Sequence, residues 1–172
     1  MKFEDALAAR LALIEPSRKS ILDCLTAHPF DLSPGIKTFI NTLQEKKIDV
    51  FLVSGGFRIM IEPIAEILDI PKTNIIANQI LFDESGIYSG FDSREPTSAD
   101  LGKPKAIKQI LDLNPTYKTV IMIGDGATDA QAKPPASAFI GFGGVVVRDA
   151  VRDKADWFVM DFDELTEIVK KR

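Results

Sequence analysis

Apolar residues in this chain come in blocks, and the spacing within the blocks changes along it. Phe3, Leu7, Leu11 and Ile14 recur at three- and four-residue steps, which predicts an amphipathic helix. Pro16 suits the first position of a second helix carrying Ile21, Leu22 and Leu25. His28-Pro29 ends it, because a residue before proline is pushed out of helical geometry. Ser33-Pro34-Gly35 opens a third helix, with Ser33 as N-cap, Pro34 in the first turn and Ile36, Phe39, Ile40 and Leu43 on one face. Lys46 and Lys47 close it at the negative end of its dipole. Then the period shortens. Residues 50–53, Val-Phe-Leu-Val, read as a buried strand that terminates in Ser54-Gly55-Gly56. A helix should span residues 57–68, kinked or split at Pro63, since an interior proline removes a backbone bond and costs about 3 kcal/mol.

The second half repeats the alternation. Ile75-Ile76 is a short strand, and residues 80–82 and 87–88 form a hairpin bent at Gly86. Residues 91–102 are a polar loop, after which Lys103 starts a helix with Ala106, Ile107, Ile110 and Leu111 inward, stopped by Asn114-Pro115. Residues 120–123, Val-Ile-Met-Ile, have the look of a fully buried parallel strand, and they end abruptly in Gly124-Asp125-Gly126-Ala127-Thr128-Asp129. Lys133-Pro134-Pro135 limits the following helix to about two turns. Residues 138–140 are a third parallel strand running into Gly141-Phe142-Gly143-Gly144. Residues 145–155 suit strand by their valines and helix by Arg148, Arg152 and Asp153; helix is preferred. A last strand at 157–160 and a terminal helix at 163–170 complete an α/β pattern with a parallel sheet.

Length fits one domain with a real core. Net charge −4, without a basic stripe, argues against nucleic acid as a partner. No apolar run is long enough to span a bilayer, and residues 1–5 lack the features of a signal peptide. Cys24 stands alone, which is compatible with a reducing compartment. The expectation is a soluble cytoplasmic protein with no membrane partner.

The chemistry gathers at strand ends, where α/β sheets hold their ligands. Asp125 and Asp129 repel each other unless a cation or a hydrogen-bond network holds them, and hard oxygen ligands there suit Mg²⁺. Read alone, the segment is equally a plain Asp-Gly turn with Asp129 beginning a helix. Ser54 offers a hydroxyl, and Gly55 and Gly56 let backbone N–H groups approach an anion; read alone, this is equally a glycine-rich turn. Other motifs fail. A dinucleotide fingerprint needs a third glycine where Asp129 stands, and Gly102-Lys103 lacks the rest of a P-loop. No Cys/His cluster supports zinc, Ser54 is not in a nucleophile elbow, and His28 reads as a loop residue.

A strand ending in Ser-Gly-Gly, a lysine opening a helix, and a strand ending in Gly-Asp-Gly-x-Thr-Asp, in that order, resemble the haloacid-dehalogenase superfamily. Within it the chain is similar to the phosphoserine phosphatases: Arg10-Leu11-Ala12-Leu13-Ile14, residues 51–58, residues 121–129 and residues 138–144 carry the likeness. The resemblance implies a three-layer Rossmann-like core with a parallel sheet at residues 31–172, a small β-hairpin near 79–90, and residues 1–30 as the remnant of a helical cap. It implies Mg²⁺-dependent hydrolysis of O-phosphoserine, the last step of serine biosynthesis. Ser54, Gly55 and Gly56 would hold the phosphoryl group, Lys103 would neutralise it, and Asp125 would ligate Mg²⁺ with Asp129 supporting that site. Thr128 would lie near the substrate, and Arg10 would pair with the substrate carboxylate. The family's Asp-x-Asp-x-Thr/Val motif, source of the nucleophile and the general acid–base, is expected before residue 1. The one Asp-x-Asp here, Asp161-Phe162-Asp163, lies in the implied final strand–helix pair. Two further readings stand beside this one: a phospholigand-binding or regulatory homologue without catalysis, and a homo-oligomer or partner that supplies the missing strand.

Overall fold

The alternation of strand and helix is realised in the computed structural model, which describes residues 3–171. The α/β fold is of Rossmann type, with two parallel sheets and one antiparallel hairpin. The residues fall into two units, one built from residues up to Asp31 with Phe51–Gly102, the other from Leu32–Val50 with Lys103 onward. No helix among the described residues is long and apolar enough to cross a membrane.

In the first unit, α1 (Phe3–Ile14) buries Leu11 and packs against β4 (Tyr88–Phe91) and a 3₁₀ turn at Pro96–Ser98. Helix α2 (Arg18–Ala27) begins one step later than Pro16 suggests: Ser17 is its N-cap, exchanging a capping box with Ser20, and His28 closes it. A hydroxyl that satisfies an orphan N–H outweighs the fixed φ of proline as a start signal. Strand β1 (Leu52–Phe57) runs through Ser54, Gly55 and Gly56 rather than stopping before them, and it is half-buried rather than buried. It pairs in parallel with β2 (Ile75–Asn78), whose side chains are all buried. Helix α4 (Arg58–Ile67) is continuous through Pro63. Its packing on β1 and β2, with Ala65 fully buried, offsets one missing backbone bond. β3 (Ile80–Phe82) and β4 make the expected hairpin, with Gly86 at φ 82°.

The second unit holds α3 (Ile36–Glu45), α5 (Gly102–Leu113, its first residue counted with the first unit), β5 (Ile121–Gly124), α6 (Ala127–Ala130), β6 (Ala138–Phe142), α7 (Asp149–Arg152), β7 (Trp157–Val159) and α8 (Phe162–Lys170). Strands β5, β6 and β7 form a parallel sheet in that order. Beneath it Phe39, Phe142 and Phe162 stack, with ring centroids 5.6 and 4.4 Å apart, joining α3 and α8 to the sheet.

Four expectations are corrected here. The cap of α3 is Gly35, at φ 78°, not Ser33, because the tight entry turn needs a left-handed residue. β5 is not fully buried: β6 is its one hydrogen-bonded neighbour among the described residues, and Ile121 is 51% exposed. Helix α6 is one turn rather than two. Residues 145–147 are neither strand nor helix and are exposed, and only Asp149–Arg152 is helical.

Helices α3 and α4 end alike. In each the chain turns through a left-handed non-glycine residue, Lys47 at φ 57° and Asp69 at φ 52°. The next amide reaches back five residues, Ile48 N to Leu43 O at 2.9 Å and Ile70 N to Ala65 O at 2.9 Å. This closure normally uses glycine.

Candidate active site

The predicted residues divide between the two units, and each set has its own geometry. In the second unit, β5 delivers Gly124 and Asp125 at its carboxyl end, and the single turn of α6 places Asp129 back over that end. Asp129 is 4% exposed and fully engaged. Its Oδ1 is ion-paired with Lys103 Nζ, and its Oδ2 accepts the Gly126 N–H at 2.9 Å. The backbone closes the same loop, Asp129 N donating to Gly126 O at 3.0 Å. Gly124 is required by this arrangement, because a Cβ there would run into the Asp129 carboxylate. Lys103, in the first turn of α5, has a side chain only 16% exposed. The structure therefore brings Lys103, Gly124, Gly126 and Asp129 together.

Asp125 points elsewhere and is half-exposed. Arg148 Nη1 donates to its backbone carbonyl at 2.7 Å and is ion-paired with its Oδ2. Sequence reasoning missed Arg148, which lay in the ambiguous stretch after the valines. Thr128 is exposed at the start of α6 and makes no close partner among the described residues. No group of three or more His, Cys, Asp or Glu converges as a metal nest among the described residues. The donor chemistry at β5 suits a hard cation nonetheless, since Mg²⁺ needs only one or two protein carboxylates and keeps its waters. Asp125 is the carboxylate with access, whereas both oxygens of Asp129 are committed.

In the first unit, Ser54, Gly55 and Gly56 form a bulge in β1. Ser54 pairs with Ala77 and Phe57 with Asn78, so Gly55 and Gly56 have nothing opposite them on β2. The Gly56 N–H donates to Ser54 Oγ at 3.0 Å. The Gly55 carbonyl accepts from Asn78 Nδ2 at 2.8 Å, and Asn78 Oδ1 accepts from Thr97 Oγ1 at 2.9 Å. Asn78 is fully buried and Thr97 is 4% exposed. Behind the bulge, Arg58 Nη2 donates to Ile75 O at 2.8 Å and lies 3.5 Å from Glu95. None of these supports was legible as a motif; the signal, an asparagine ending an otherwise apolar strand, is visible only in hindsight.

Arg10 is exposed on α1. Asp161 and Asp163 serve the fold: Asp161 Oδ1 caps α8 by accepting the Glu164 N–H at 2.9 Å, and the Asp163 carboxylate lies against Gly35.

Comparison with known proteins gives a consistent picture. The haloacid dehalogenase-like hydrolase family model matches residues 4–133. Phosphoserine phosphatase of Bos taurus is 50% identical over 163 residues, covering 95% of this chain and 72% of that protein. A chloroplastic phosphoserine phosphatase of Arabidopsis thaliana is also 50% identical, with 56% of its length covered. Among solved structures, a phosphoserine phosphohydrolase-like protein from Francisella tularensis superposes with a TM-score of 0.82 at 28% identity, over 98% of this chain and 77% of that one.

Proposed function

The chain belongs to the haloacid dehalogenase-like hydrolases, among that family's phosphatases, and from that premise we propose that its substrate is O-phospho-L-serine, hydrolysed to L-serine and phosphate. The observation that carries the reading is the buried Lys103–Asp129 pair at the end of β5. An ammonium held by an almost fully covered carboxylate is fixed in place, which is what stabilising a transferring phosphoryl group requires. A solvated lysine would lose that orientation.

Roles follow from what each group can donate. The Ser54 hydroxyl and the backbone N–H groups of the glycine bulge hold phosphoryl oxygens, and Lys103 offsets their charge. Asp129 is a support: it orients Lys103 and tightens the 124–129 turn. Arg10 takes the substrate carboxylate through a bidentate guanidinium, and Thr128 stands near the substrate. Asp125 would hold Mg²⁺, which supplies Lewis-acid neutralisation of phosphoryl charge when bound. Residues 1–30 are assigned to a helical cap and residues 31–172 to the core. Asp161 is assigned to capping α8, through the Oδ1 that accepts the Glu164 N–H, and not to the nucleophile's role.

Calorimetric titration with phosphate and with O-phosphoserine, each in Mg²⁺, tests this. The chain of residues 1–172 should bind both, and Lys103→Met and Asp125→Asn should weaken both. Adding a peptide that carries an Asp-x-Asp-x-Thr strand should produce phosphate release, unaffected by Asp161→Asn. Titrations of Lys103→Met that overlay the unaltered chain would sink the reading.

A further inference from the structure

The Gly55 carbonyl and the Gly56 N–H belong to the same peptide group. Because that group is planar and trans, fixing the direction of its oxygen fixes the direction of its hydrogen on the opposite side. The flanking residues are both glycine, so rotation of this peptide meets no Cβ and is intrinsically easy. The bulge also removes the β2 ladder partner that would otherwise hold it. Left to itself, the peptide could present either N–H or C=O on the Ser54 side. An N–H there attracts an anion, and a C=O repels it.

A buried side chain restrains this choice. Asn78 Nδ2 takes the Gly55 oxygen at 2.8 Å, which leaves the Gly56 N–H on Ser54 Oγ at 3.0 Å. The amide of Asn78 cannot turn over without setting its Oδ1 against the Gly55 carbonyl, an acceptor only, and in the orientation this fixes its Oδ1 accepts the Thr97 hydroxyl at 2.9 Å. Thr97 is itself fixed in the 3₁₀ turn, where Ser98 Oγ donates to Glu95 O at 2.8 Å. A Cβ on Gly102 would strike Pro96 O and Thr97 Cα at 2.6 Å, so the chain lies tightly against that turn.

We propose that Asn78, oriented by Thr97, is a positioning residue that locks the Gly55–Gly56 peptide with its N–H toward Ser54 and thereby sets the anion affinity of the bulge. The inference rests on the phosphate-holding role given to Ser54 above and adds to it the device that gives the bulge its polarity.

The experiment is a titration of the ¹⁵N-labelled chain with inorganic phosphate, read at the Gly55 and Gly56 amides. Asn78→Asp replaces the donor with an acceptor and should weaken phosphate about tenfold, the order expected for one charge-assisted hydrogen bond. Thr97→Val removes the hydroxyl at nearly constant shape and should weaken it several-fold, with a displaced Gly56 resonance. Thr97→Ser keeps the hydroxyl and should restore both. This valine–serine pair decides the matter even where Asn78→Asp fails to fold.

If Thr97→Val melts earlier but keeps the phosphate affinity and Gly56 resonance of the parent, Asn78 and Thr97 are merely structural and the proposal is overturned. Weakening by Thr97→Val with none by Ser54→Ala would refute the role of the Ser54 hydroxyl while leaving Asn78 as assigned. A parent chain whose glycine amides ignore phosphate would overturn both.

Discussion

Lys103→Met is the perturbation that most directly probes the arrangement at β5. It keeps the length of the side chain and removes its charge. Asp129 would then be a carboxylate of 6% side-chain exposure, retaining the Gly126 N–H and no cation. Two unit charges at about 4 Å interact by about 4 kcal/mol at an effective dielectric of about 20. Breaking a buried pair by deleting one partner costs about 3–5 kcal/mol, because the survivor stays desolvated. For a chain of this size each kcal/mol moves the melting temperature by about 2–4 °C, so a fall of roughly 10 °C is expected. A double-mutant cycle isolates the pair: Lys103→Met, Asp129→Asn and both together, followed by urea unfolding. The asparagine oxygen still accepts from Gly126, so the cycle reports the charge interaction. Its coupling should be about 2–4 kcal/mol, against roughly 0.2–1 kcal/mol for an exposed pair. A coupling under about 1 kcal/mol would show that solvent reaches the pair and that Lys103 is not held, which removes the reason for placing it on the phosphoryl group.

Other expectations are local. Lys47→Gly should stabilise the chain by about 1 kcal/mol in urea, since it relieves a left-handed side chain at the end of α3; no change or a loss would argue that the lysine side chain contributes elsewhere. Asp92 is held down at about 2 by the Arg94 side chain and then its backbone N–H. With a folded value below the unfolded one, the stabilisation is present above about pH 4 and lost as pH falls through about 2. The melting difference between the parent and Arg94→Gln should therefore close on acidification, and a pH-independent difference would contradict the assignment. Tyr117 is raised to about 12, first by its hydrogen bond to Asp49 at 2.5 Å. Absorbance at 295 nm should show its ionisation moving down in Asp49→Asn, and an unmoved midpoint would refute the cause.

What could be read from the sequence was whatever side-chain burial and local steric rules determine. The apolar run before Gly124 announced a strand, Lys103 announced a helix start, and Asn114-Pro115 its end. The two carboxylates at 125 and 129 were legible as a pair, and the choice between cation and hydrogen-bond network resolved toward both: Lys103 and Gly126 hold Asp129, and Arg148 holds Asp125. The strand exposure was misjudged because hydropathy reports what a residue prefers, while the neighbours of β1 and β5 decide what it receives. The register shift that lifts Gly55 and Gly56 out of the ladder depends on pairing with residues more than twenty positions away, as does the bond from Asn78. No local pattern encodes that. Ser33 and Pro16 failed for a smaller reason: each offered a valid start signal beside a stronger one.

The crowding at Gly124 also constrains how this segment can change over generations. The volume a side chain at 124 would need is already filled by the carboxylate at 129. Positions 124, 129 and 103 therefore do not drift one at a time. A single replacement at 124 displaces Asp129, and a single replacement at 129 strands the lysine. A library randomised at 124 alone should return glycine. One randomised at 124 and 129 together should return folded pairs, such as alanine with glycine, that have surrendered the ion pair with Lys103. Neighbouring sequences in that space are then separated by a valley rather than a slope, and the route across it passes through chains that fold without holding Lys103.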